Sequence, residues 1–412
     1  MVPLMNPQPL NTSHTWSLVG LSLVPFVMVL GNSMLIPILP DMQKELSITQ
    51  FQVSLIITAF SIPAAIVIPI SGYLSDHYGR KKVIIPALLI YALGGLIAGF
   101  AASFLGDKAY PLIIAGRIIQ GIGAAGTAPI AMALASDIFT DESRSKALGI
   151  IEAANGIGKV ISPILGSLIA IIVWYATFFA FPILCIPIAL IMWLVVAEPK
   201  GNINKQTVSD YIKSVIKIFK SKGVGLFAAF LAGSVTLFIL FGLLFFLSDI
   251  LEKRYQIDGV YKGFIIAIPL LVMAITAYIT GRIAKSKLSK MKRLILVGMS
   301  LIALGSGVSV ITTDTYYLMA LLVIIGIGSG LVLPCLNTII TGSIQAKERG
   351  IVTSLYGSVR FTGVAIGPPV FGYLMKISQQ IMYMTMSGLA IFTALIAYFL
   401  IQNKKNLSAQ KK

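Results

Sequence analysis

The sequence predicts an all-α polytopic membrane protein, with 12 transmembrane helices in two pseudo-symmetric six-helix bundles. Three observations lead there. First, apolar residues make up 57% of the 412-residue chain and charged ones only 11%, too few to coat a soluble domain of this length. Apolar runs of about 20 residues, enough to cross a bilayer, recur from end to end. Second, the net charge of +17 is unevenly spread. Twenty-three lysines and arginines fall in alternate connections or the C-terminal tail and six in the remaining connections, the bias that keeps basic loops in the cytoplasm. Third, residues 121–144 (GIGAAGTAPIAMALASDIFTDESR) align without gaps on 326–349 (GIGSGLVLPCLNTIITGSIQAKER) at an offset of 205. Gly121, Gly123, Pro129, Arg144 and Pro163 land on Gly326, Gly328, Pro334, Arg349 and Pro368. An offset near half the chain is the trace of a duplicated six-span unit, as in secondary transporters.

Taken in order, span one is 16–40. No lysine or arginine precedes Lys44, so this run lacks the basic start of a cleavable signal peptide and reads as a membrane span, with Asn32 inside it. Span two, 52–74, leads into the basic loop GYLSDHYGRKK at 72–82, and span three is 83–104. Span four, 110–138, carries Arg117; its GIGAAG follows no strand, which removes a nucleotide-binding reading. Span five, 145–174, holds LGIIEAANGIGKVISPILGS at 148–167, an apolar stretch with an acid, a base, four glycines and a proline. Span six is 176–197.

A polar stretch separates the halves, so 1–197 reads as the first bundle, 198–223 as a cytoplasmic linker, and 224–412 as the second bundle with a cytoplasmic tail. Within the linker, Val208, Tyr211, Ile212, Val215, Ile216 and Phe219 keep helical spacing with lysines between them, which fits an amphipathic helix on the inner membrane surface. The second-half spans are 224–251, 259–284, 293–312, 315–343, 350–376 and 379–402. Two cysteines inside apolar runs, no Cys/His cluster and no nucleophile–base pair leave neither a disulfide framework nor an enzyme to expect. The basic residues mark loops rather than a nucleic-acid surface.

Three motifs resemble those of the major facilitator superfamily, in its twelve-span drug:proton antiporter branch, across about residues 16–402. The loop 72–82 is similar to the family's signature after span two, with His77 in a usually basic position. LIIAGRIIQGIGAA at 112–125 is similar to the motif built around a membrane-buried arginine, here Arg117. Gly149, Gly158, Ser162, Pro163, Gly166 and Ser167 follow the exporters' span-five motif with serine at two glycine positions. The resemblance implies proton relay through Arg117. It also implies that Gly72, Asp76, Gly79 and Arg80 help latch the bundles on the cytoplasmic side when the carrier opens outward. The second-half counterpart has Lys285 where the acid would stand. Small residues let helices approach closely, and Pro163 kinks its span, so Gly149, Gly158, Pro163 and Gly166 are expected to form a seam between bundles.

Four ionisable residues are placed deep in the spans: Arg117, Glu152, Lys159 and Arg360. Each costs roughly 2.5–3.5 kcal/mol to insert, so each demands a reason. Seven residues turn a helix by about 700°, so Glu152 and Lys159 share a face, about 10.5 Å apart along the axis, with Asn155 between them. The repeat offset carries Asn155 onto Arg360. Glu152 is either the group that takes up and releases a proton or half of a fixed pair with Lys159 or Arg117. Lys159, Asn155, Arg360 and Asn32 are expected to line the substrate cavity. Three buried cations against one acid favour neutral or anionic amphiphiles.

The expected function is proton-coupled efflux of small amphiphilic compounds or drugs by alternating access, or export or flipping of a specific anionic lipid or metabolite. The proton gradient supplies the energy, and no cofactor or metal is expected. Lipids are the surrounding partners, a monomer is expected, and the location is a bacterial plasma membrane with both termini cytoplasmic.

Overall fold

The computed structural model describes residues 12–139, 141–198, 207–284, 288–311, 315–342 and 346–401, and these are helical almost throughout. Eleven helical segments among them are long and apolar enough to cross a membrane. The twelfth span is α13 below, 32 residues long, whose apolarity is diluted by Arg360 and by glycines, serines and threonines.

In the first half, α1 (Thr12–Ser33) continues through a 3-10 turn at Ile36–Ile38 into the short α2 (Leu39–Glu45). Then come α3 (Gln50–Tyr78) and α4 (Arg80–Phe104). Between these two, Gly79 has φ +108°, a conformation that disfavours any side chain. Span four is broken into α5 (Tyr110–Ala125) and α6 (Ala128–Ile138) at Gly126 and Thr127, where Pro129 sits in the first turn of α6 and needs no intrahelical acceptor. Spans five and six are α7 (Asp141–Ala170) and α8 (Ala176–Val195).

The second half comprises α9 (Val208–Lys253), α10 (Gly259–Ala284), α11 (Leu288–Ser309), α12 (Thr315–Gly342), α13 (Ala346–Ile377) and α14 (Gln379–Leu400). The duplication is not perfect. Pro334 leaves α12 continuous, because Leu331 stands where the first half has Gly126.

The amphipathic segment expected in the linker is the start of α9, an uninterrupted 46-residue helix that includes span seven. Phe219 and Phe230 nevertheless bring their ring centroids to 6.0 Å, although eleven residues rise about 16 Å on a straight helix. The helix therefore bends between them, where Gly223 and Gly225, two residues apart in one turn, weaken it. The bent arm reaches α3, where Tyr211 meets Tyr73 edge-on at 5.4 Å. Residues 199–206 of the expected linker, Lys285 and the tail from 402 lie outside the described residues.

Each half packs on itself: α4 lies against α5 and α8, and α11 lies against α12 and α14. The halves meet along two seams, α3 with α13 and α7 with α10. In the first seam the Thr58 hydroxyl donates to the Ala365 carbonyl at 2.6 Å, and the Ser358 hydroxyl donates to the Ala65 carbonyl. The second seam corrects an expectation. Gly158 and Gly166 face Phe26 and Met34 of the first span, inside their own half. The close approach between halves is made instead by Gly263 of α10, against the Pro163 carbonyl and Ser167. Pro163 and Ser167 each lie one residue, about 100°, from the face that packs on α1.

Candidate functional site

The face bearing the basic loops is called the basic face below, and the other the opposite face. The inner half of α7 is unpacked toward the basic face: Gly149 and Gly156 have open space beside them, whereas Gly158 onward is packed. Glu152 stands in the open part. It is exposed and makes no ion pair among the described residues, so neither the Glu152–Lys159 nor the Glu152–Arg117 pair is formed. The expectation of a buried Glu152 is thereby corrected: its side chain is exposed, with open space at Gly149 and Gly156 on the same helix.

Lys159 and Asn155 are half-buried on the same helix. Lys159 lies within electrostatic range of Arg360 from the other half and of Glu152. The Arg360 guanidinium sits 5.3 Å from the Tyr356 ring centre, and its Nε has no hydrogen-bond partner. The buried Tyr356 hydroxyl has none either. Two like charges from opposite halves thus share one region, with two donors unsatisfied, which is an arrangement able to receive an anion.

Arg117 is 0% exposed, and each of its three guanidinium nitrogens donates to a neutral acceptor. It donates to the Ile56 carbonyl (3.0 Å), the Gln120 side chain (2.7 Å) and Asn32 Oδ1 (2.7 Å), and lies 4.5 Å from the Phe60 ring centre. Asn32 also donates to the Ser61 hydroxyl at 2.7 Å and is only 5% exposed. Asn32 therefore does not line a cavity here; it ties α1 to α3 and α5 through the arginine. A short amide beside a buried guanidinium is consumed by it, because an unpaired donor in the apolar interior is costly.

On the basic face, Arg80 bridges Asp76 (2.8 Å) and Asp137 (2.6 Å). The positive N-terminus of α4 is met by Glu198, which accepts from the N–H groups of Arg80 (2.8 Å) and Lys81 (2.7 Å). Asp76, Gly79 and Arg80 thus join elements of the first half, whereas Gly72 touches Ser354 of α13 across the seam. The motif pointed to this corner, but Glu198 and Asp137 lie far along the chain and carry no local signal.

The opposite face holds a cluster absent from the sequence reading. Lys262, 1% exposed, binds Glu252 (2.6 Å) and Asp258 (3.2 Å) of its own half and stands 3.9 Å from Asp41 of the other. In sequence Lys262 is one more lysine near a span end. Nearby, the Ser248 hydroxyl donates to the Ile36 carbonyl across the halves at 2.7 Å. This face is closed.

A family model described as Major Facilitator Superfamily matches residues 21–368 and 291–412. The chain is 45% identical over 393 residues to a Bacillus subtilis (strain 168) protein named bacillibactin exporter, covering 95% of this chain and 97% of that one. It is 28% identical over 359 residues to multidrug resistance protein 1 of the same organism, covering 85% and 88%. Among solved structures, a bacterial homolog of the human lysosomal transporter Spinster, in an inward-facing and occupied conformation, superposes with a TM-score of 0.74 at 16% identity, covering 95% of this chain and 97% of that one.

Proposed function

The chain belongs to the major facilitator superfamily, and from that premise we propose that it exports small amphiphilic compounds across the plasma membrane in exchange for protons. It is a multi-pass transporter with exporters and multidrug resistance proteins among its relatives. The observation that carries the finer reading is that Lys159 and Arg360, from opposite halves, lie within electrostatic range of each other. Lys159 shares a helix face with Glu152, which is exposed and makes no ion pair among the described residues. A site shared by two halves is made and unmade as they rock, so what binds there moves with the cycle. Lys159 and Arg360 attract an anionic or polar group of the substrate, and Glu152 exchanges the proton with water on the basic face.

The basic face is the cytoplasmic one in this reading, supported by the bias of lysine and arginine between loops. Both termini are then cytoplasmic, and the structure is open inward. The second reading, export or flipping of one specific anionic lipid or metabolite, is favoured by the same cationic pair lacking a fixed acid partner. The name of the 45% identical relative makes bacillibactin the first compound to try.

The test is transport by the purified chain in proteoliposomes with an imposed pH gradient. Bacillibactin, neutral drugs, cationic drugs and anionic lipids are compared, with and without an ionophore that collapses the gradient. Accumulation that needs the gradient and prefers anionic or neutral compounds is the expected result. Transport indifferent to the gradient would contradict proton exchange, and a preference for cations would contradict the role of Lys159 and Arg360.

A further inference from the structure

We propose that Asp41, Glu252, Asp258 and Lys262 form a proton-binding site that bolts the opposite face shut. The oxygens of the three carboxylates lie within 4.8 Å of one another, around one lysine that is almost wholly buried. Asp258 is exposed and Asp41 and Glu252 partly so, so water screens some of the excess, but one ammonium still faces three carboxylates at that spacing. Lys262 gives its short contacts to Glu252 and Asp258, both from its own half. Asp41 comes from the other half, stands beyond hydrogen-bond reach at 3.9 Å, and accepts no hydrogen bond among the described residues.

The other groups facing Asp41 leave the imbalance in place. On α2 itself Lys44 attracts Asp41 but is the weakest of the charges acting on it, and on α9 Asp249 is already paired with Lys253 at 2.6 Å. The first turns of α3 carry no charge. Burial works to raise the Asp258 carboxyl, but the Gly259 N–H and the Lys262 ammonium outweigh it and hold that group below the usual carboxylate range. Asp258 therefore stays ionised. A separate observation points to the same place: a cavity of about 290 Å³ between the halves is lined by Asp41, Asp258, Lys262 and Ser167. The Ser167 hydroxyl, 2% exposed, has no partner there, as befits a site that holds water or a hydrated proton.

The chemistry is a single proton transfer. A hydronium on the outer side gives its proton to an Asp41 oxygen and leaves water, and the new O–H can donate to Glu252 or Asp258. The repulsion of Asp41 by Glu252 and Asp258, which the pull of Lys262 at 3.9 Å opposes, becomes a hydrogen bond between the halves. When the face opens, Asp41 leaves with the first half, the other two carboxylates stay with Lys262, and the proton returns to outer water. The closed state thus binds the proton more tightly than the open one, so acid outside favours closure and the preference fades as pH rises. The proposal needs only that the two halves move, not that the chain exports by proton exchange.

Spin labels on cysteines placed at the exposed Asp107 and Tyr261, in the full chain with Cys185 and Cys335 replaced, report the separation of the halves across this face in nanodiscs. Distance distributions are compared between about pH 8 and about pH 5, with a closed-to-open ratio expected to rise about threefold or more in acid. Asp41→Asn, uncharged at every pH and still able to donate, should remain closed and lose the response. Asp41→Glu should keep the response, and Lys262→Met should open the face in alkali. A flat profile in the unsubstituted protein, or an Asp41→Asn protein that responds like it, would overturn the proposal. Since no transport is measured, failure here is separate from failure of the export reading.

Discussion

At the scale of single residues, Arg117 and Glu152 stand at opposite ends: the first is buried with three neutral acceptors, and the second is exposed with no ion pair among the described residues. Asn32→Leu removes an acceptor from Arg117 and a donor from Ser61, so it should cost about 1–3 kcal/mol and lower the thermal unfolding temperature in detergent. An unchanged melting curve would mean that the Arg117 network carries no structural load. Glu152→Gln should leave that curve unmoved, because Glu152 is exposed and has no ion pair to lose among the described residues. Destabilisation by Glu152→Gln would restore the fixed-pair reading. Lys159→Ala should raise KM for anionic substrates far more than for neutral ones, measured as a ratio within one protein; equal effects would remove Lys159 from the site. Periodicity put Glu152 and Lys159 on one face, but not which part of that face is packed. Lys262 was invisible for a different reason: its burial comes from acids at positions 41, 252 and 258, brought together only by the fold.

The spans themselves were legible, since length and apolarity decide them. Their interruptions were not, because the break at Gly126 and the bend at Gly223 and Gly225 depend on what neighbours accept the freed backbone. At this scale the seam at Gly263 gives a sharp expectation. Gly263→Leu should insert and express but lose transport, since its side chain would enter Pro163 and Ser167 of the other half. Normal transport would move the seam elsewhere. The arm of α9 carries three stripes. Tyr211, Val215 and Ile218 turn toward the protein, while Ile212, Ile216 and Phe219 and then Lys213, Lys217 and Lys220 are exposed side by side. An apolar stripe next to a basic one fits a helix lying among anionic head groups. Replacing the three lysines with glutamine should reduce retention of anionic phospholipid on the purified protein, read by native mass spectrometry. Unchanged retention would assign the stripe to topology alone.

For the whole molecule, the duplicated halves and the family were readable because a repeat offset survives divergence. Which face is closed was not, since that depends on contacts between halves rather than on the pattern within either. With the basic face cytoplasmic, as proposed, cysteines at Lys82 and Lys290 should be protected from an impermeant thiol reagent in intact cells while one at Lys108 is labelled, and the reverse pattern would invert the account. The central claim is that Glu152 links the proton to the movement of substrate. Its most direct measurement compares Glu152→Gln with the unsubstituted chain in proteoliposomes, for uphill transport under an imposed pH gradient and for downhill exchange without one. The account predicts that Glu152→Gln keeps substrate binding and downhill exchange but loses uphill transport; uphill transport at the unsubstituted rate would contradict it.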